Sequence, residues 1–206
     1  MNFFIQGLLL GLGLGLAPGP LLALVISASL RGGFSHGLRV ALSPLITDLP
    51  IIIISLVILQ QVNDSAIGFL SFVGAAVLMY FAYESWMGSK NDPQSLIKTD
   101  KDIGSTNKTL AKAILTNFVN PSAWLFWMTA GGTLLTNAWQ KSLVEAFSFV
   151  FGFYLLLVGG KVLLALGIGT TRNKIPFWLY KLLIRISALL LLILGIELFR
   201  SGISYF

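Results

Sequence analysis

The sequence predicts an all-α membrane protein, with six transmembrane helices arranged as a 3+3 inverted repeat. Three observations carry this. The 206-residue chain is 56% hydrophobic and only 11% charged, which excludes an ordinary water-soluble domain. Its apolar residues gather in six runs, near 3–30, 39–60, 66–88, 111–135, 142–169 and 175–203, each longer than the roughly 20 residues that cross a hydrocarbon core. One polar segment, 89–110, divides these runs three and three. An odd number of spans per set inverts the second set relative to the first. The whole chain is therefore one transmembrane domain, with repeat 1 over 1–88 and repeat 2 over 111–206.

The first run has no basic residue before Arg31 and no small-residue cleavage site, and it is too long for a signal peptide, so it stays attached as a span. It is interrupted at Ala17-Pro18-Gly19-Pro20. A break inside lipid leaves backbone N–H and C=O groups unpaired, and it survives only where protein, water or a ligand satisfies them. Gly7, Gly11 and Gly15 recur every four residues and give one small face for close helix packing, within the fold or in a homodimer. The second run carries Asp48 between Pro44 and Pro50. An acid there costs a few kcal/mol of insertion energy and needs a partner or a watery cavity. The third run is apolar up to Glu84 and Trp86, near its end.

The segment 89–110 holds Lys, Asp, Asn, Ser and Thr and reads as a flexible cytoplasmic linker. The fourth run is broken at Asn120-Pro121, in the place that Pro20 occupies in the first set. The fifth carries Lys161 after Gly159-Gly160, and the sixth has Arg185 and Glu197 towards its ends, where snorkelling or local pairing accounts for them. Trp86, Trp139 and Trp178 fit interfacial anchors, whereas Trp124 and Trp127 lie deeper and suit a cavity wall.

Charge distribution sets the orientation. Of 14 basic residues, 11 flank or occupy the first, third and fifth connections: Arg31 and Arg39; Lys90, Lys98, Lys101, Lys108 and Lys112; Arg172, Lys174, Lys181 and Arg185. Those connections are predicted to be cytoplasmic and both termini external. This basic side also suits anionic inner-leaflet lipids. The net charge of +6 is thereby explained without nucleic acid, since no basic stripe with interleaved aromatics lies elsewhere.

Depth follows from counting at about 1.5 Å per residue. Pro20 lies 11 residues before Arg31, Asp48 lies 9 after Arg39, Pro121 lies 9 after Lys112, and Lys161 lies 8 before Gly169. All four fall about 12–17 Å into the membrane, where transporters with broken helices bind substrate. Pro20 and Pro121 suit the first position of a new half-helix, with Asn120 as N-cap of the second. The N–H groups and positive dipole ends there suit a substrate carboxylate, while Asp48 suits an ammonium group or a coupling proton. Lys161 pairs with Asp48 between turnovers or balances it structurally. Thr47, Asn117, Asn120, Ser122 and Thr129 offer hydrogen bonds to substrate or to neighbouring helices. The candidate substrate-binding set is Pro18, Gly19, Pro20, Thr47, Asp48, Asn117, Asn120, Pro121, Ser122 and Lys161.

The chain has no cysteine and one histidine, His36 in the first connection. No disulfide or thiolate chemistry is available, and P-loop, dinucleotide and zinc-hydrolase signatures are absent. Neither a cofactor nor a resident metal is expected. An intramembrane hydrolase lacks a nucleophile and base at matching depth. Three readings remain: a secondary transporter of a small zwitterion, an exporter of an inorganic ion, where missing cysteine and intramembrane histidine weigh against a soft metal, and a non-transporting membrane protein.

Over its whole length the chain resembles the lysine exporter (LysE/RhtB) superfamily of small amino-acid effluxers. The resemblance rests on Ala17-Pro18-Gly19-Pro20, on Arg31-Gly32-Gly33 followed by Gly37, on Asp48, and on Asn117 with Asn120-Pro121-Ser122-Ala123. Leu21 and Thr47 stand where the commoner family form has Asn and Gly. The resemblance implies amino-acid export across the cell membrane without naming the amino acid.

Overall fold

The computed structural model describes residues 2–90, 106–171 and 177–204, and every regular element among them is an α-helix. In chain order these are α1 (Phe3–Leu16), α2 (Pro20–Gly32), α3 (Phe34–Leu59), α4 (Asp64–Gly88), α5 (Thr106–Val119), α6 (Pro121–Met128), α7 (Ala130–Lys141), α8 (Leu143–Thr171) and α9 (Phe177–Ile203). Within α3, α4, α8 and α9 lies a stretch long and apolar enough to span a bilayer, and α1 with α2 qualifies as a pair bent by 65°. The architecture is thus all-helical with four or five candidate spans. Most of the predicted linker, with Lys98 and Lys101, lies outside the described residues, as do Arg172 and Lys174.

The first predicted break is present. Ala17 takes the extended conformation, φ −58° and ψ 135°, that a following proline imposes, and Gly19 is also extended before Pro20 opens α2. The predicted fourth span over 111–135 is not a single rod, and its residues are shared among α5, α6 and α7. Pro121 has no N–H with which to continue α5, so that helix ends at Val119. A second interruption falls at Thr129, φ −126° and ψ −97°.

The connection predicted between Arg31 and Arg39 shrinks to one residue. Gly33 adopts φ +74°, a left-handed conformation that favours glycine, and its N–H donates to Ser29 O at 3.0 Å. Helix α3 therefore starts at Phe34, earlier than predicted. His36 sits on its first turn, its Nδ1 hydrogen-bonded with Gly32 O at 2.8 Å. Further along α3, Pro44 cannot donate to Val40 O, and the buried Ser43 hydroxyl donates to that carbonyl instead, at 2.8 Å. A proline that would leave a carbonyl orphaned in lipid is thereby accommodated. Ile46, Leu49, Ile53 and Val57 of α3 are exposed and form a lipid-facing stripe.

The two most extensive helix pairings are α1 with α8 and α4 with α9. A Cβ at Gly7 would stand 2.2 Å from Phe149 O, one at Gly11 2.1 Å from Phe153 O, and one at Gly15 3.1 Å from Leu156 O. The predicted small face is thus a backbone-to-backbone seam inside the fold, not a surface left for a second copy. On the other pair, Gly195 and Gly202 bring α9 against α4, while Gly74 lets α4 approach the main chain of Ala130 at the start of α7, with Phe72 against Phe199 at 5.0 Å between ring centroids. Between the pairs lies the largest apolar core, which includes Leu10, Ile51, Leu78, Trp127, Phe149 and Phe153.

Candidate substrate site

The break between α1 and α2 opens onto a hollow of about 150 Å³, room for a small solute against the roughly 30 Å³ of one water in the liquid. Its walls bring together Pro18, Gly19 and Pro20 of the first break, Asp48 of α3, Asn117 of α5, Asn120 and Ser122 of the second break, and Lys161 of α8. Residues from both halves of the sequence therefore meet at one place. Pro121 is not on its wall. Thr47, 2% exposed, stands behind the wall and acts through Asp48.

Asp48 is held from three helices. Asn117 Nδ2 donates to its Oδ1 at 2.8 Å, Thr47 Oγ1 to the same oxygen at 3.2 Å, and Tyr154 OH to Oδ2 at 3.2 Å. Asn117 also donates to Thr47 Oγ1, so the amide fixes both neighbours. Thr47 Oγ1 lies 3.1 Å from Ser43 O as well, and its single proton is shared between that carbonyl and the carboxylate. With 5% exposure, Asp48 is withdrawn from water yet engaged at both oxygens, which satisfies a buried carboxylate.

Lys161 is 4% exposed and faces the same hollow. Among the described residues it makes no ion pair with Asp48 within 4 Å, so the predicted pairing is not made in this conformation. Two opposite charges that share a cavity without touching leave a place for a solute carrying both signs.

The two half-helix N-termini differ. At α6, Asn120 Oδ1 accepts from Ser122 N at 3.1 Å, and Asn120 O accepts from Ala123 N at 3.2 Å. That terminus is already capped. At α2, Gly19 supplies no side-chain acceptor, and among the described residues the amides of Leu21 and Leu22 have no backbone partner. Both residues line the hollow, and a Cβ on Gly19 would meet nothing within 4 Å. The α2 terminus is therefore the one left open for an anionic group.

Phe126, Trp127 and Phe153 close one side of the hollow. Phe126 stacks on Phe153 at 5.4 Å, Trp127 meets Phe153 edge-on at 5.2 Å, and all three are at most 3% exposed. Glu84, exposed near the C-terminal end of α4, belongs to the same wall and marks the mouth. The sequence had placed Trp127 correctly as a cavity wall, but Trp124 turns away and donates to Phe118 O at 2.8 Å. Glu84, read from sequence as a span-end acid, and Tyr154 were missed. Tyr154, Leu157 and Lys161 recur at i, i+3 and i+7, one stripe of α8, and that spacing was the available signal.

Comparison with known proteins decides the family. Residues 12–202 match the family model for the LysE type translocator. The chain belongs to that family. This LysE type translocator is also 25% identical over 207 residues to the "Putative amino acid efflux protein YcgF" of Bacillus subtilis (strain 168), across 99% of this chain and 98% of that protein. No solved structure matches the chain closely enough to be counted a relative. The protein is a multi-pass membrane transporter that moves a small molecule, and its family is not an enzyme family.

Proposed function

We propose that this translocator exports an amino acid or a similar small zwitterion across the cytoplasmic membrane by alternating access, coupled to protons. The observation that carries the reading is the hollow in which Asp48 and Lys161 face one another without an ion pair, beside the open amides of α2. The solute's ammonium group lies against Asp48. Its carboxylate lies between Lys161 and the N–H groups of Leu21 and Leu22, where the dipole of α2 adds to the attraction. Asp48 takes either the ammonium or a proton, so competition for one carboxylate couples the two flows. The amino-acid efflux role named for the Bacillus subtilis relative supports the same substrate class.

Repeat 2 uses α5 to α7 as the counterpart of the broken first span, which keeps the 3+3 inverted arrangement. With the basic connections inside and the termini outside, the mouth beside Glu84 faces the cytoplasm. The hollow is then in its loading state.

The test is efflux from loaded cells, screened over the common amino acids with and without a proton gradient. Asp48→Asn is expected to abolish efflux while the protein reaches the membrane in normal amount. Normal efflux by that variant refutes the assignment. Resistance of overexpressing cells to metal salts, with none to amino-acid analogues, favours the inorganic-ion reading instead.

A further inference from the structure

A second hollow, of about 230 Å³, lies at the opposite end of α1, enclosed by α1, α7 and α9. Its polar wall consists of Gln6, Asn137, Glu197 and Ser201, and Leu134 and Leu194 are among its apolar residues. Glu197 and Ser201 are one helical turn apart on α9, so both side chains reach the same space. Among the described residues every polar group there is an acceptor or carries one, and no Lys or Arg is on the wall. Gln6 is 9% exposed, and its Oε1 is buried without a hydrogen-bond partner. Native structures seldom leave such an atom unsatisfied unless something else fills the role. Among the described residues no cation lies within 4 Å of Glu197. An acid between transmembrane helices with no counter-ion among the described residues is a functional feature by default.

We infer that this hollow is an exit subsite for the ammonium group of the transported solute, built on Glu197 and Gln6. The inference rests on the export reading above. An ammonium carries three N–H donors, which matches a wall offering the Glu197 carboxylate, the unpaired Gln6 amide oxygen and the Ser201 hydroxyl, while no Lys or Arg among the described wall residues offers a positive charge to a carboxylate. The location fits release. Gln6 and Leu14, on the walls of the two hollows, are eight residues apart on α1, about 12 Å along the helix. The stack of Phe126, Trp127 and Phe153 seals the inner hollow towards the protein interior. When that seal opens, a solute leaving Asp48 meets a second carboxylate on its way out.

Because the chain has no cysteine, Ser201→Cys creates a sole thiol inside the hollow. The experiment treats intact cells with two membrane-impermeant methanethiosulfonates, one bearing trimethylammonium and one sulfonate, with rates normalised to those for a small free thiol. The normalised cation rate is expected to exceed the anion rate by about tenfold, and the ratio to fall to near one when Glu197→Gln is added. External methylammonium should slow the cationic reagent several-fold, and not in the Glu197→Gln background. Equal normalised rates, a preference that survives Glu197→Gln, or labelling only in inverted vesicles each overturns the inference. If Ser201→Cys does not reach the membrane, Asn137→Cys on α7 reports the same hollow. None of these readouts requires transport, so normal efflux by Asp48→Asn sinks the export mechanism separately from the labelling result.

Discussion

Replacing Asn117 by leucine strikes the Asp48 network at its shortest link. Leucine keeps the branched outline of the side chain but removes the donor that lies 2.8 Å from Asp48 Oδ1 and also holds Thr47. A hydrogen bond to a charged group contributes about 1.5–3 kcal/mol, and each 1.36 kcal/mol is a factor of ten, so the loss corresponds to about 10- to 150-fold. Thr47 and Tyr154 stand farther off, at 3.2 Å, and do not replace the lost bond. The sign is fixed by the network's role: these donors support the anionic carboxylate, the form that binds an ammonium group. The assay is counterflow of a labelled amino acid in proteoliposomes, resolved into half-saturation and maximal rate. Asn117→Leu is expected to raise the half-saturation concentration at least tenfold. Combining it with Thr47→Val should add less than the two single effects together, because the residues share one network. An unchanged half-saturation concentration, at equal incorporation into the vesicles, refutes the claim that Asp48 holds the substrate.

The remaining predictions concern the scaffold. Gly11→Val places a Cβ 2.1 Å from Phe153 O; backbone cannot yield as a side chain tip does, so the cost should pass the usual 1–3 kcal/mol of overpacking. Folded yield in detergent should collapse, whereas Gly159→Ala, with open space around it, should behave as wild type, and equal yields for both variants contradict the seam. Ser43→Ala removes the donor that covers Val40 O beside Pro44 and should lower stability by about 1–3 kcal/mol, read as a depressed thermal unfolding midpoint.

Much of the helical arrangement was legible because it depends on composition and on residues with fixed backbone consequences. Pro18 and Pro20 dictate a break wherever they fall, and α1 and α2 part there. Asp48 was legible as a site candidate because an acid deep in an apolar run has few structural uses. The fourth run shows the limit of this reasoning. Hydropathy sees one apolar stretch over 111–135, but the helix breaks again at Thr129, a residue with no marked helix-stopping character. Tyr154 was missed because a tyrosine among Phe149, Phe151 and Phe153 looks like ordinary lipid- or core-facing aromatic sequence; only its position above Lys161 on α8 gives it away. The unequal caps were legible in part. Both breaks put proline at the first helical position, and Asn120, expected as an N-cap, closes its own helix end, whereas Gly19 has no side chain to close the other; only the facing of that open end to the hollow needed the structure.

The glycine seam constrains how the molecule can move. With main chain resting on main chain at Gly7 and Gly11, α1 has no layer of side chains on which to slide along α8, so the two travel as one block. That block carries Lys161 and the rim at Pro18 together. Any widening or narrowing around a bound solute has to come from its other neighbours, α3 with Asp48 and α4 with Glu84. Spin labels bridging α1 and α8 should hold one spacing through the transport cycle, and labels from that block to α4 should not.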